Sequence, residues 1–186
     1  MLILHRTLGA AAAAAALWLS AAPVGAEGLA ASEYALKAAI IYKLTKFVSW
    51  PDAAFSGPAS PLSICLDSNS AYLPAMKALE GRSAQGHIVE IHPLVSGENV
   101  ESHCHVLFVS VAEKGQVAGG PQAATDAPVL TIGEGDEFVE KGGIIGLRVE
   151  ENRITFIVNV AAGTHARLAI SARLLQLATI FSPGEA

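Results

Sequence analysis

Apolar residues recur along residues 32–50, SEYALKAAIIYKLTKFVSW, at the three- and four-residue spacing of a helix. Leu36, Ile40, Leu44 and Phe47 make the stripe, Ile41 and Val48 widen it, and Lys37, Lys43 and Lys46 fall mostly on the remaining surface. Ser32 has the chemistry of an N-cap. Pro51 stops the helix behind Trp50, whose bulk suits a packing plug. The pattern then shortens. LSICL (62–66) reads as a buried strand, and SAYLPAMKALE (70–80) as a short helix with Tyr72, Leu73, Met76 and Leu79 on one side. Gly81 lies just past that helix, and Pro74 fits only its first turn or limits it to later ones. HIVEIHPL (87–94) alternates, as a strand with one wetter face does. VLFVSV (106–111) and PVLTI (128–132) are continuous apolar runs, as in strands covered on both faces. Residues 112–127 are glycine-rich and weakly patterned, a loop or frayed helix.

Towards the C-terminus, GGIIGLRVEENRITFIVNV (142–160) places two β-rich runs either side of Glu151-Asn152, where Asn suits the left-handed backbone of a tight hairpin. A closing helix over roughly 161–180 would carry Ala162, Ala166, Ala169, Leu174, Leu177 and Ile180 inward. Together the pattern predicts a single α/β domain: a mixed sheet with flanking helices and a C-terminal β-hairpin plus closing helix. No linker divides it, and no heptad, internal repeat or low-complexity tract follows residue 30.

The first 26 residues read differently. His5 and Arg6 precede an alanine-rich apolar run from Leu8 to Ala22, Pro23 breaks it, and Val24-Gly25-Ala26 supplies the small residues of a cleavage site. The expectation is a signal peptide over 1–26, cut after Ala26, with residues 27–186 exported to the periplasm as one domain. The run is short for a retained membrane anchor, and no lipobox cysteine accompanies it. Only Arg6 of the 12 basic residues falls in the leader, so the remainder carries 11 basic against 17 acidic residues, a net charge of −6. Without a basic cluster, nucleic acid and anionic membrane surfaces are excluded as main partners. No second apolar stretch is long enough to span a bilayer.

The chemistry concentrates in HCHVLFVS (103–110). If the strand begins at 103, His103 and His105 share a face while Cys104 points to the other, so the three cannot converge on one ion. A His-x-His pair could hold zinc or copper with a third ligand such as His87 or His92, but nothing in the spacing singles one out. A Cys–His nucleophile pair meets the same obstacle, and a free thiol sits poorly in an oxidising compartment. No nucleophile elbow, phosphate-binding glycine loop or paired-histidine metalloprotease motif occurs elsewhere, so neither an enzyme nor a cofactor is expected. The cysteine count is the plainer guide. Cys65 and Cys104 are the only two, each in or beside a core strand, and an exported pair favours one disulfide over two free thiols.

The stretches EYALKAAIIYKLTKFVSWP, LSICLD, CHVLFVS, PVLTIG, GGIIGLRVEENRITFIVNVAA and ISARLLQLA, in that order from about residue 33 to residue 179, resemble the YfiR family of periplasmic proteins. The KFVSWP helix end and the EENRITFIVN hairpin are the more specific parts. The resemblance implies a dimeric α/β repressor that binds the periplasmic domain of an inner-membrane diguanylate cyclase, lowers cyclic-di-GMP synthesis and so restrains biofilm formation. It also implies a possible sequestering outer-membrane lipoprotein, and a disulfide at Cys65 and Cys104. A second family disulfide, nearer the C-terminus, has no cysteines here.

Candidate partner-binding residues are Phe138, Ile144 and Ile145 around GGIIG, where apolar side chains after a glycine pair either face a partner or fill the core. Arg167 and Arg173, on nearly opposite sides of the closing helix, are candidate anion-binding residues or solvated helix charges. The alternative function is a periplasmic small-ligand or metal sensor acting on another signalling receptor, drawn from His87, His92, His103 and His105.

Overall fold

The computed structural model describes residues 26–111, 127–151 and 153–183. Most of the expected signal peptide, all but the last residue of the expected loop at 112–127, and Asn152 lie outside the described residues. Among the described residues, no helix is long and apolar enough to cross a membrane.

Helix α1 (Ala26–Thr45) runs through Ser32, which is therefore not its cap, and ends sooner than expected. Two turn residues follow, then the short strand β1 (Val48–Ser49). Next come β2 (Leu62–Asp67), α2 (Leu73–Lys77), β3 (Ser83–Ala84), β4 (His87–Leu94), α3 (Val100–His103) and β5 (Val106–Val109). The described remainder supplies β6 (Leu130–Glu134), α4 (Asp136–Glu140), β7 (Ile145–Glu150), β8 (Arg153–Val158), α5 (Val160–His165), β9 (Ala169–Ile170), α6 (Ala172–Leu175) and β10 (Thr179–Ile180).

Eight strands form one mixed sheet in the order β10-β8-β7-β6-β5-β2-β4-β3, and β1 pairs antiparallel with β9 apart from it. From β4 to β7 every neighbouring pair is parallel, as continuous apolar runs require. The antiparallel pairs of the main sheet are hairpins, β3–β4 and β7–β8, and the latter has Glu150 opposite Arg153 around a two-residue turn.

Alternation along the strands divides the core into two. Ile64, Leu66, Val106, Phe108, Leu130 and Ile132 face α1, α2 and the chain around α5 and α6. Cys65, Leu107, Val109 and Val129 face α3 and α4. The sheet is thus sandwiched between helical layers.

Three expectations need correcting. The inward position assigned to Leu36 by period alone is reversed: it is 52% exposed, whereas Lys37, expected at the surface, is 5% exposed. Ala38 and Ile41 lead the packing face. The closing helix is not one helix. It breaks at Arg167, whose φ is +58°, with the Arg167 N–H donating to Thr164 O and the Leu168 N–H to Gly163 O, a Schellman end with Arg where Gly is usual. Consequently Ala169, Leu177 and Ile180 are exposed, while Ala166 and Leu174 are buried as expected.

Candidate functional site

Two groups of polar side chains stand out, and the first lies where this topology concentrates function. In open α/β sheets the crevice beyond the carboxyl ends of parallel strands is the usual ligand site. Here Glu134 ends β6, Val111 lies just beyond β5, and α1 and α2 deliver Lys37 and Tyr72 to the same place.

Lys37 Nζ donates to Glu134 Oε1, to Tyr72 Oη at 3.2 Å, and pairs with Glu33 at 2.6 Å. Tyr72 Oη donates to Glu134 Oε1 at 2.7 Å, and the Val111 N–H to Glu134 Oε2 at 2.8 Å. Tyr72 is wedged between Tyr34 and Phe108, with ring centroids 4.5 and 4.8 Å away. Burial opposes the charge on Lys37, but Glu134, Glu33 and Tyr72 outweigh it and push the ammonium well above its usual range. Burial likewise opposes ionised Glu134, yet Lys37, the Val111 amide and Tyr72 hold it below 4.5. Burial, then Glu134, raises Tyr72. All three groups move away from neutrality, so the arrangement anchors α1 to the sheet and is poorly suited to proton transfer. A shallow groove continues from it past Gly135 and Leu147, where Arg148 clasps Asp136 in a bidentate pair. The sequence reading missed this cluster, since Lys37 and Glu134 stand 97 residues apart.

The second group surrounds HCHV. α3 runs to His103 and the strand begins only at Val106, so the pleat that was to place both histidines on one face is absent. The histidines diverge. His105 Nδ1 accepts from the Ser63 N–H at 3.1 Å, and Nε2 donates to Ala54 O at 3.0 Å. Burial holds its pKa low. It is a neutral core histidine with both nitrogens engaged. Phe55 stacks on it at 4.4 Å and on His87 at 3.8 Å, and His87 Nδ1 meets Ser60 O at 2.6 Å. The Trp50 indole N–H donates to His105 O, the plug expected of it. His103 instead faces His92 and Glu98, which among the described residues form the one group close enough together to hold a metal ion.

Cys65 and Cys104 are joined, with Cα atoms 5.7 Å apart. The bridge ties β2 to the segment between α3 and β5. Phe138, Ile144 and Ile145 are buried at 5%, 3% and 0% exposure, so within this chain they fill the core. The reason is steric. A β-carbon on Gly133 or Gly143 would lie 2.3 or 2.2 Å from the Phe138 ring, so the ring slots between two glycines. Arg167 ends α5 and Arg173 lies in α6; both are exposed but no helix joins them.

No curated protein matches the chain. A solved structure, a conserved domain protein from Vibrio cholerae O1 biovar eltor, is similar with a TM-score of 0.47 at 14% identity; the match covers 80% of this chain and 60% of that one. The family model described as YfiR/HmsC-like matches residues 34–179, from the first buried turns of α1 to the start of β10. With that match spanning the whole sheet, the chain belongs to the YfiR/HmsC-like family.

Proposed function

We propose that the protein is a periplasmic regulatory binding protein that represses an inner-membrane diguanylate cyclase by binding its periplasmic domain. The observation that carries this reading is the family match over residues 34–179, because the family suggests a periplasmic regulatory role in cyclic-di-GMP signalling. The Cys65–Cys104 bridge supports an oxidising compartment.

Repression is then a population shift. To move the cyclase from 1:99 to 99:1 in favour of its inactive state, the repressor must prefer that state by about 10⁴-fold. Phe138, Ile144 and Ile145 are buried, so the surface offered to the cyclase is drawn from exposed apolar side chains. Val149 on β7, Ile180 on β10 and Leu177 just before β10 are such side chains. A homodimer and a sequestering outer-membrane lipoprotein belong to the same proposal.

The test is cellular cyclic-di-GMP in a deletion strain, beside its parent and a strain re-expressing the gene. A rise that re-expression reverses supports repression. An unchanged level, under conditions where the protein is made, counts against it.

A further inference from the structure

The residues around the disulfide are arranged for a ligand that neither the bridge nor the core accounts for. His92 Nε2 lies 2.6 Å from Glu98 Oε1, and His103 Nε2 lies 3.9 Å from the same oxygen. The three ligating atoms all fall within 4.8 Å of one another. The imidazole rings are within 10° of parallel, with centroids 5.3 Å apart.

Separate devices fix each group. His92 is held by β4, directly opposite Cys65 of β2 in the parallel register. His103 occupies the last turn of α3, whose start is capped by the Asn99 side chain accepting from the Glu101 N–H at 2.8 Å. Glu98 uses its second oxygen to accept from the Val95 N–H at 3.1 Å, which orients the carboxylate as an outer-shell partner orients a metal ligand. The disulfide joins Cys65, beside His92, to Cys104, next to His103. The bridge therefore sets the separation of the two imidazoles.

Two imidazoles and a carboxylate are a zinc-type donor set, with a fourth position left to water. Tetrahedral bonds of about 2.0–2.1 Å place ligand atoms roughly 3.3 Å apart. The 2.6 Å contact must open and the 3.9 Å contact close, each by under 1 Å, and the two imidazole nitrogens, within 4.8 Å of each other, must close by up to about 1.5 Å, which rotation of these side chains supplies. The same donors suit other first-row divalent ions in the order of their intrinsic affinity. Calcium and magnesium prefer oxygen ligands. Exposures of 38%, 20% and 48% for the His92, Glu98 and His103 side chains leave an entry path.

We propose that His92, Glu98 and His103 form a surface site for a zinc-class divalent cation, preorganised by the Cys65–Cys104 bridge. Both histidines ligate as neutral imidazoles, so protons compete with the ion for them. Because the bridge fixes the site, oxidised protein binds the ion better than reduced protein. By reciprocity, a bound ion makes the bridge harder to reduce by the same factor. The proposal stands apart from the repressor reading; either can fail alone.

Isothermal titration of zinc chloride into the purified, untagged, oxidised protein at pH 7.5 tests it. The expected result is saturable uptake of one equivalent, weakened at least about tenfold by His103→Ala and also by Glu98→Gln. His165→Ala, on α5, should leave it unchanged. His103 is exposed at a helix end, so its loss leaves the fold intact, and Glu98→Gln keeps the side chain's shape. Absence of saturable uptake by the parent protein overturns the site, as does parental affinity in both His103→Ala and Glu98→Gln.

Discussion

Lys37 shows what a local pattern can and cannot carry. A lysine one position past Leu36 reads as a solvated cation, because period alone says nothing of an acid 97 residues on. Its burial is set by tertiary structure, where β6 ends in Glu134 and Val111 supplies an amide to the same carboxylate. Removing one member leaves the other buried and unpaired, so Lys37→Ala should cost about 3 kcal/mol, read from the urea midpoint. The double replacement Lys37→Met with Glu134→Gln should recover part of that loss, since the amide oxygen still accepts from the Val111 N–H while its NH2 donates to Tyr72 Oη. The pair also sets a pH window. Glu134 is depressed on folding from 4.5, so its contribution is complete above that value and fades as pH falls through its lower folded value. Lys37 is raised from 10.5, so its contribution is complete below that value and fades as pH climbs beyond it. Unfolding free energy measured against pH should keep both limbs in the parent protein and lose this pair's share of each in the double variant. The cysteines were legible for the opposite reason: two in a chain with an expected signal peptide leave one pairing. The histidines were only half legible, because the four-residue helix ending at His103 has too little sequence to announce itself.

At the scale of elements, the strands were readable because parallel strands buried on both faces are written as unbroken apolar runs, and the β7–β8 turn follows from chemistry on either side of it. The closing helix was not. An Ala- and Leu-rich segment has high intrinsic helicity, but the chain turns back at Arg167 to lay β9 against β1. Ile170 then packs over Gly163, where a β-carbon would be 2.7 Å from Cδ1 of Ile170. Long-range packing defeats propensity there. The GGIIG stretch allowed two readings, a partner face or core, and within this chain Gly133 and Gly143 make room for Phe138. Gly143 is the stricter of the pair: a β-carbon there would also sit 2.7 Å from the backbone oxygen of Phe138. Gly143→Ala should therefore destabilise by about 3 kcal/mol, seen as a lower thermal midpoint with unchanged secondary structure below it. Phe138→Leu, which shortens the clash, should restore part of that loss in the double variant.

For the molecule as a whole, the bridge is the main covalent restraint. It closes a loop across a sequence separation of 39 residues, worth about 4 kcal/mol in the chain-entropy account. Cys104→Ser should lower the urea midpoint accordingly, and dithiothreitol should bring the parent protein to the same place. Partner affinity of the fraction that stays folded should change much less, because the restraint acts chiefly on the unfolded chain. The order of the sheet has a consequence of another kind. Its outermost strands, β10 and β3, are each two residues long. Strands so short offer a newcomer only a couple of backbone hydrogen bonds, too few to template a further strand. β3 covers only His87 and Ile88 of β4, and β10 only Ile157 and Val158 of β8, so any further strand would have to pair beyond them, along the rest of β4 or β8.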